Sequence, residues 1–478
     1  QSCTDTKTEF LNCLLGKCSS VLEDDCDSTM MQARSTKSLG WTIAVTAFAI
    51  VSMSGMLSLA QEAHGDAPVL SLSQAVQIAL EHNRPVNIAK LDIDKSKWTL
   101  AQTKTKRFPA ISTYLFASGD ITSPTFNFPA GSFGFDKPQT FKLSTGVTGY
   151  ASVQAAQPIS QLYQIHLAIR EQELSVDYSG EQYKGKRQST AASVKQAYYA
   201  VLQTESALAA QEALVKSYEE TDRVTAQYLT QESVLKSDGL QVKAKLAQAQ
   251  YQIIQLGDTL ETQKEQLNEL LGRDIDVPFR TEAVPPVTPA EMDLKAARQM
   301  ALERRPEVKE AEIDTHRADY DRRLSRAKYI PSIGAAIHYL DPINTAILPQ
   351  NILSAGMELT WDPFDWGGRR DEVKQKDVSL QQSHYQLQET RAQVTLDVDN
   401  SFRKLEESRT MLAVAQAGKD AANEKLREVN DAYKHSAVLL RDVLQQQAAV
   451  ANADHDYEES LLAFWNAKAL FEKALGEE

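Results

Sequence analysis

Proline is missing from two long stretches of the sequence. All 16 prolines of the 478 residues lie outside residues 159–277 and 364–478. Both stretches are rich in Ala, Gln, Glu, Leu and Lys, which are strong helix formers. Because proline interrupts helices and these stretches exceed the length of an ordinary globular helix, we predict unusually long helices in both.

Cysteine is also scarce. The four cysteines, Cys3, Cys13, Cys18 and Cys26, all lie in residues 1–29, and the rest of the chain has none. Their spacings lack the paired C-x2-C pattern of zinc sites, which makes a four-cysteine metal site the weaker interpretation. The stronger interpretation is a non-native extension upstream of the true start. The cysteine-free remainder suits an oxidising periplasm.

Residues 30–60 have the layout of a secretory signal peptide. Arg34 and Lys37 precede an apolar run, and Ser58 and Ala60 supply the small residues of a cleavage site. An N-terminal membrane anchor is the alternative, since the run is nearly long enough to span a bilayer. The cleavage site favours removal, and we predict a signal peptide here.

The sequence offers no pattern that demands a reaction centre. Its histidines are scattered, and no H-E-x-x-H motif, nucleophile elbow or phosphate loop occurs. The net charge of −13 makes nucleic acid an unfavourable partner. We therefore predict no catalytic activity, no metal site, no cofactor and no nucleic-acid binding.

The chain contains the same series of elements twice. Eleven residues between positions 72 and 111 recur 222 residues later, without a gap. A second register, of about 204 residues, pairs Val194 with Val398. Because internal repetition sets the architecture, we predict a first repeat over residues 61–277 and a second over 291–478. A proline-rich linker over residues 278–290 joins them.

Each repeat contains two segments with the pattern of strands. Apolar and polar residues alternate from Leu353 to Trp361, which is typical of a strand with one wet and one apolar side. The alternation is weaker in the first repeat, and the faces of residues 111–118 stay ambiguous. The predicted strands cover about 110–119, 141–157, 332–340 and 352–362.

A long helical hairpin follows each strand pair. The predicted hairpins cover residues 159–271 and 366–476, with breaks near 229–239 and 434–441. A helix of roughly 70 residues would be about 100 Å long. In the last helix, five apolar residues at seven-residue spacing indicate coiled-coil packing: Val443, Val450, Tyr457, Phe464 and Phe471.

Aromatic residues cluster at the ends of the predicted strands. They would form interfacial girdles in a membrane barrel, although a soluble sandwich core would also use them. Four strands cannot close a barrel, and an open sheet edge cannot face lipid. If these strands enter a membrane, several chains must therefore contribute to one barrel.

The ordered set of these motifs resembles the TolC family of outer-membrane efflux proteins. The likeness extends from Leu70 to Gly476 and includes the segment 70–80, the strand-to-helix junctions at 157–159 and 361–368, and the turn at Arg441-Asp-Val-Leu444. It implies a mainly α fold with a small β part. The tandem helical hairpins would form a trimeric coiled-coil tunnel, and four strands per chain would join a shared 12-stranded barrel.

The resemblance also implies location and partners. The homotrimer would span the cell outer membrane, contact its lipid, and extend its helical tunnel into the periplasm. It would be the passive exit duct of a tripartite efflux pump or a type I secretion system. Its partners would be a periplasmic adaptor, also called a membrane fusion protein, and an inner-membrane transporter.

The family's gate lies at the periplasmic tips of the hairpins. By resemblance, Tyr433 and Asp442 correspond to the tip tyrosine and an inward-facing aspartate, and Asp238 to the aspartate of the other hairpin. A ring of such aspartates favours cations, but Asp238 and Asp442 could equally cap the return helices. The family's arginine is replaced by Val438, and Arg441 and Lys236 are the candidate substitutes.

Further departures from the family pattern also lie at the tips. Gln445 occupies the position of the family's second inward-facing aspartate. The glycine usual at the tips is missing at Ser436 and near Gln231. At the other end of the long helices, the candidate strand-to-helix junction residues are Pro158, Pro363, Gly367 and Gly368.

Two other classes of protein compete with the duct. A periplasmic coiled-coil adaptor or scaffold without a membrane barrel would also be long, helical and exported. A soluble helical enzyme with duplicated domains is the second rival, but it lacks a candidate catalytic site.

Overall fold

The computed structural model describes residues 68–119, 121–122, 125–142, 147–230, 235–285, 293–343, 349–435 and 437–478. The predicted extension over 1–29 and signal peptide over 30–60 lie outside the described residues. The elements follow in the order β1 Val69–Leu70, α1 Leu72–His82, α2 Arg84–Thr105, β2 Ala110–Gly119, β3 Thr125–Phe128, β4 Gln139–Lys142, β5 Val147–Pro158, α3 Leu162–Thr230, α4 Lys236–Leu271, β6 Arg280–Thr281, α5 Leu294–Arg304, α6 Pro306–Ala327, β7 Ser332–Ile343, β8 Ile352–Thr360, α7 Gly368–Lys434 and α8 Leu440–Leu475.

The long helices are the dominant elements. Helices α3 and α7 contain 69 and 67 residues, so each is roughly 100 Å long at 1.5 Å per residue. Helices α4 and α8 return along them, and the coiled-coil seam of α8 is buried at Val443, Phe464 and Phe471. No helix in the described ranges combines the length and the apolar character needed to cross a bilayer.

A short helix pair precedes the strands in each half. Pro85 and Pro306 lie in the first turns of α2 and α6. Proline is tolerated there because the backbone N–H groups of a first turn have no acceptor within the helix. Asn83, between α1 and α2, connects both of them to α4. Its Oδ1 accepts a hydrogen bond from the Val86 N–H of α2 at 3.2 Å, and its Nδ2 donates to the Leu270 carbonyl of α4 at 2.8 Å. The corresponding residue of the second half is Arg305, which instead pairs with the Glu307 carboxylate of the helix that follows it.

The two halves bury corresponding residues. Val194 and Val398 are fully buried in separate apolar cores, one around α1, α3 and α4 and the other around α5, α7 and α8. Leu271 and Leu475 close the ends of the same cores. The residues that repeat in the sequence are therefore largely those that pack the helices together.

The main sheet has the strand order β2-β5-β7-β8, with every neighbouring pair antiparallel. Strand β5 begins at Val147 rather than near residue 141, because residues 139–142 pair with 125–128 as a separate hairpin. Phe126 opposite Phe141 provides an aromatic cross-strand pair there. Strand β8 ends at Thr360, two residues earlier than predicted.

The predicted linker also contains regular structure. Arg280 and Thr281 form β6, which pairs in parallel with Val69 and Leu70 of β1. Two residues per strand are too few to show a sequence periodicity, so this pair could not be predicted from alternation. It connects the start of the first repeat to the segment that leaves it.

Helices α3 and α6 meet in a charged interface between the two halves. Glu310 of α6 is half-buried near Tyr178 of α3, and burial raises its pKa to about 7. The carboxylates of Glu307 and Asp314 on α6 and of Glu181 on α3 raise this pKa further. Glu310 therefore keeps its proton to a higher pH than an exposed glutamate does.

Replacing Glu310 by glutamine should remove a loss of folding stability that grows as the pH rises. The folded chain holds this proton more tightly than an unfolded glutamate of pKa 4.5 does, so stability falls as the pH rises from about 4.5 to about 7. Glu310→Gln should match the unaltered protein at about pH 4.5 and exceed it at about pH 8 by on the order of 1 kcal/mol, because solvent screens the site. Thermal unfolding followed by circular dichroism would measure this. An equal difference at both pH values, or the same behaviour in Glu261→Gln at an exposed site, would contradict it.

Candidate functional site

The main sheet has one apolar face that is open to the surroundings. The strand registers place Ile111, Ala155, Ile337 and Ala355 side by side in one row across all four strands. The exposed large apolar side chains on this face have between 38% and 75% of their surface accessible. An exposed apolar surface of this extent is the pattern of a lipid-facing sheet. The exposed apolar side chains on this face include Ile111, Leu115, Ile337, Leu353, Met357 and Leu359.

The opposite face carries small or polar residues over the half of the sheet nearest the helices. The adjacent row consists of Ser112, Gln154, His338 and Ser354. The registers also settle the orientation of β2, which alternation alone left ambiguous. Leu115 lies on the apolar face, and the residues on either side of it lie on the polar face.

Both edges of this sheet lack a neighbour within the described chain. Strand β2 pairs only with β5, and β8 pairs only with β7, among the described strands. Each edge therefore presents a row of backbone N–H and C=O groups. Such groups must find partners if the sheet enters lipid.

Exposed aromatic residues lie at the end of the sheet where strands and helices meet. Trp366 is 90% exposed, and its ring contacts that of Phe364 edge to face at 4.8 Å between centroids. This exposure excludes a sandwich core within the chain and fits an interfacial girdle. The other exposed members are Phe108, Tyr329 and Trp361.

The predicted junction residues lie where strands pass into the long helices. Pro158 is the last residue of β5, opposite Gly334. Pro363 lies between β8 and α7. Gly367 has φ of +92° and occupies the N-cap of α7, a left-handed conformation that favours glycine. Gly368 begins the helix.

Asp365 caps α7, a contact that the sequence interpretation missed. Its carboxylate accepts hydrogen bonds from the backbone N–H groups of Gly367 at 3.2 Å and Arg369 at 2.7 Å. These bonds, the Arg369 bond first, lower the pKa of Asp365. The spacing of an aspartate shortly before a helix was available as a capping signal.

The second hairpin tip contains two of the predicted gate residues. Tyr433 lies in the last turn of α7 with 43% of its surface exposed. Asp442 lies in the first turn of α8, and its Oδ2 accepts from the Leu439 N–H at 3.1 Å. Asp442 therefore caps the return helix, as one of the two interpretations required. The role of both residues in a gate stays a prediction.

The other two predicted gate residues are located by their backbone only. Asp238 lies in the first turn of α4 and Arg441 in the first turn of α8. Their side chains lie outside the described part of the chain. Leu235 and Leu439 occupy corresponding positions at the N-caps of these helices, and both are strongly exposed, at 70% and 63%.

A buried tyrosine, Tyr198, whose contacts the sequence did not predict, holds the β1–β6 pair on the long helix α3. The Tyr198 hydroxyl lies 2.8 Å from the Leu70 carbonyl and 3.0 Å from the Glu282 carbonyl, and it accepts the Glu282 N–H at 2.7 Å. Burial raises the pKa of Tyr198. The 204-residue register places Phe402 at this position in the second half, where such a pair is not described.

The comparisons with known proteins agree with this architecture. The family described as outer membrane efflux protein matches residues 75–273 and 297–477, one segment in each half. The alkaline protease secretion protein AprF of Pseudomonas aeruginosa is 20% identical over 417 residues, covering 84% of each chain. The Campylobacter jejuni CmeC outer membrane channel superposes with a TM-score of 0.71 at 16% identity, covering 85% of each chain. The outer membrane protein VceC of Vibrio cholerae superposes with a TM-score of 0.69 at 13% identity, covering 85% of this chain and 96% of the VceC chain. The family match covers most of the sequence and both halves of the fold, and the chain therefore belongs to the outer membrane efflux protein family.

Proposed function

We propose that three copies of this chain form a passive exit duct through the outer membrane, serving a tripartite efflux pump or a type I secretion system. The observation that carries the proposal is the exposed apolar sheet face, whose two edges are unpaired among the described strands. A single chain leaves this sheet incomplete, because lipid cannot satisfy the edge groups. A conduit of this kind moves its cargo without catalysing a reaction and needs no cofactor.

The internal repeat supports a particular way of joining copies. Within the chain, β5 of the first half pairs with β7 of the second half. Under the two repeat registers, β8 corresponds to β5 and β2 corresponds to β7. The equivalent contact between chains therefore joins β8 of one copy to β2 of the next. Three chains with four strands each would close a 12-stranded barrel with no free edge.

The helices support the same arrangement. Helix α6 packs between α3 and α7, whereas its counterpart α2 packs against α3 alone among the long helices. The remaining face of α2 exposes Ile88, Leu91 and Trp98, and α7 exposes Val378 and Tyr385. Since α3 packs on α6 within the chain, α7 is expected to pack on α2 of the next copy. These apolar side chains would then be buried.

The partners follow from the position of the tips. Helical hairpins roughly 100 Å long would carry the tips far into the periplasm, where a periplasmic adaptor and an inner-membrane transporter could reach them. The name of AprF refers to protease secretion, and the family name refers to efflux. Both uses need the same passive conduit, and the transporter would select the cargo.

Single-channel recording in a planar bilayer tests the proposal directly. Purified full-length protein should form trimers that resist dissociation and conduct ions with stepwise openings. A preparation that inserts into the bilayer but conducts at no voltage and no pH would overturn the duct. A monomer in detergent by light scattering would overturn the shared barrel.

Replacing Trp98 by glutamate should weaken the contact between copies. Trp98 is 76% exposed in the single chain, and burying an unpaired carboxylate in the apolar α2–α7 contact would cost several kcal/mol. We expect the fraction of protein that migrates as a heat-resistant trimer to fall at least about tenfold. Lys90→Glu, on another face of α2, is the matched control and should leave the trimer intact. Equal loss in both variants would contradict the assignment of this interface.

Replacing Asp442 by asparagine separates its two candidate roles. The asparagine carbonyl oxygen can still accept the Leu439 N–H, so the helix cap is retained while the charge is lost. If three copies present this carboxylate to the channel, the preference for cations should decrease. The measurement is the reversal potential in a salt gradient, with Asp431→Asn in the preceding helix as a control. Unchanged selectivity would leave Asp442 as a cap alone.

A further inference from the structure

The polar face of the sheet changes character along the strands. Toward the end away from the helices, Tyr114, Phe116 and Tyr150 replace the small or polar residues of the helix-proximal rows. The Tyr150 ring lies 5.7 Å from that of Tyr114 and 5.5 Å from that of Phe116, measured between centroids, with the ring planes tilted by about 35°. All three side chains remain 36–54% exposed. Their rings therefore stay open to contact from the water side.

The neighbouring strands extend this surface. Leu340 is paired with Ser152 and Ile352 is paired with Leu340, and both are partly exposed, whereas Pro342, paired with Tyr150, is buried. Strand alternation places these residues on the same face as the three aromatic rings. We call the five residues of this surface that are exposed or partly exposed the aromatic collar: Tyr114, Phe116, Tyr150, Leu340 and Ile352.

The collar faces water rather than lipid if the opposite, apolar face contacts the membrane. That assignment rests on the proposed function, because only a closed barrel gives the sheet an interior. The interior of a 12-stranded barrel is wider than that of an 8-stranded barrel, which side chains fill, and narrower than the open pore of a 16-stranded barrel. Three copies of the collar would then line one level of a water-filled passage.

The charge on this face favours one class of ligand. Among the described residues of the main sheet, the collar face carries one carboxylate, Glu358, and neither lysine nor arginine. Glu358 lies toward the helices, two residues before the last residue of β8. Aromatic ring faces attract cations, and more strongly where water is partly excluded.

We propose that the aromatic collar binds lipophilic aromatic cations as they pass through the barrel. The rings of Tyr114, Phe116 and Tyr150 supply apolar contact area and negative ring faces, and Glu358 adds attraction from the periplasmic side. Each copy contributes one site, so the trimer holds three around the passage. Binding here delays such cations relative to small hydrophilic ions.

The test is block of single channels by tetraphenylphosphonium in a planar bilayer, with tetraethylammonium as a non-aromatic cation. Tetraphenylphosphonium should interrupt the potassium current at concentrations at which tetraethylammonium has no effect. Replacing Tyr114, Phe116 and Tyr150 together by leucine keeps the surface apolar and should raise the blocking concentration about tenfold. The matched control replaces Ser112 and Gln154, on the same face, by alanine. Tetraphenylphosphonium should block this variant at the same concentration as the unaltered protein.

The outcomes separate this inference from the proposed function. A conducting channel whose block is unchanged in the leucine variant, or equally weakened in the control, would overturn the collar while leaving the duct intact. If the leucine variant fails to fold, the single substitution Tyr114→Leu should raise the blocking concentration by a smaller factor, and no change would overturn the collar. Absence of any current in the unaltered protein would overturn the duct itself.

Discussion

Replacing Met357 by arginine should abolish channels in the outer membrane. Met357 lies on the apolar face of β8 and is 74% exposed in the single chain. An arginine facing lipid near the middle of a barrel strand costs about 2–4 kcal/mol, and a trimer would bear this cost three times. We expect heat-resistant trimers to disappear from the outer-membrane fraction on a gel, with the protein degraded or aggregated.

Ser354→Arg is the matched control for this substitution. Ser354 belongs to the same strand, but its side chain lies on the polar face. An arginine there would face water, so trimers should form in normal amount and the cation preference should decrease. If Met357→Arg assembles as well as Ser354→Arg, the apolar face does not contact lipid. The proposed orientation of the sheet would then be wrong.

Replacing Gly272 by valine should destabilise the first half strongly. Gly272 ends α4 with φ of +74°, a conformation that β-branched residues avoid. A Cβ at this position would lie 2.3 Å from the carbonyl oxygen of His82, so the junction between α1 and α2 would have to move. Strain and displacement together should lower the free energy of unfolding by more than about 2 kcal/mol. Thermal unfolding by circular dichroism and resistance to trypsin measure the loss.

Two other glycines provide controls for Gly272. Gly476 ends α8 in the same conformation, but a Cβ there would lie 3.1 Å from the Arg304 side chain, so Gly476→Val should cost less. Gly257 lies inside α4, where a Cβ would meet no atom within 4 Å, and Gly257→Ala should be neutral or stabilising. If all three variants lose equal stability, close approach of the helix ends is not the cause.

The long helices and their breaks were predictable because they depend on local properties. The absence of proline from 159–277 and 364–478 and the choice of helix-forming residues placed four long helices to within a few residues of their observed ends. The alternation around Met357 similarly predicted β8 and its apolar face. Each of these signals is contained in one continuous segment.

Features that depend on distant contacts were missed. The β1–β6 pair and its contact with Tyr198 join residues more than 80 positions apart, and two-residue strands carry no periodicity. The hairpin over residues 125–142 was not predicted, since its strands are only four residues long. At the second hairpin tip, the helical position of Asp442 and its role as a cap were both predicted as alternatives, and the structure adds that the capped group is the Leu439 N–H.

By itself, the sequence determined the class of this protein: repeated elements, long helical hairpins and strands with one apolar face. These follow from residue choice and period, which act over a few turns or a few residues. Only the tertiary structure decided which residues of different strands lie side by side in one row, which edges stay open, and where the halves differ. The register between β2 and β5 assigned Leu115 to the apolar face and the rings of Tyr114 and Phe116 to the other. Register arises from pairing between distant strands, and a shift of one residue would reverse both faces.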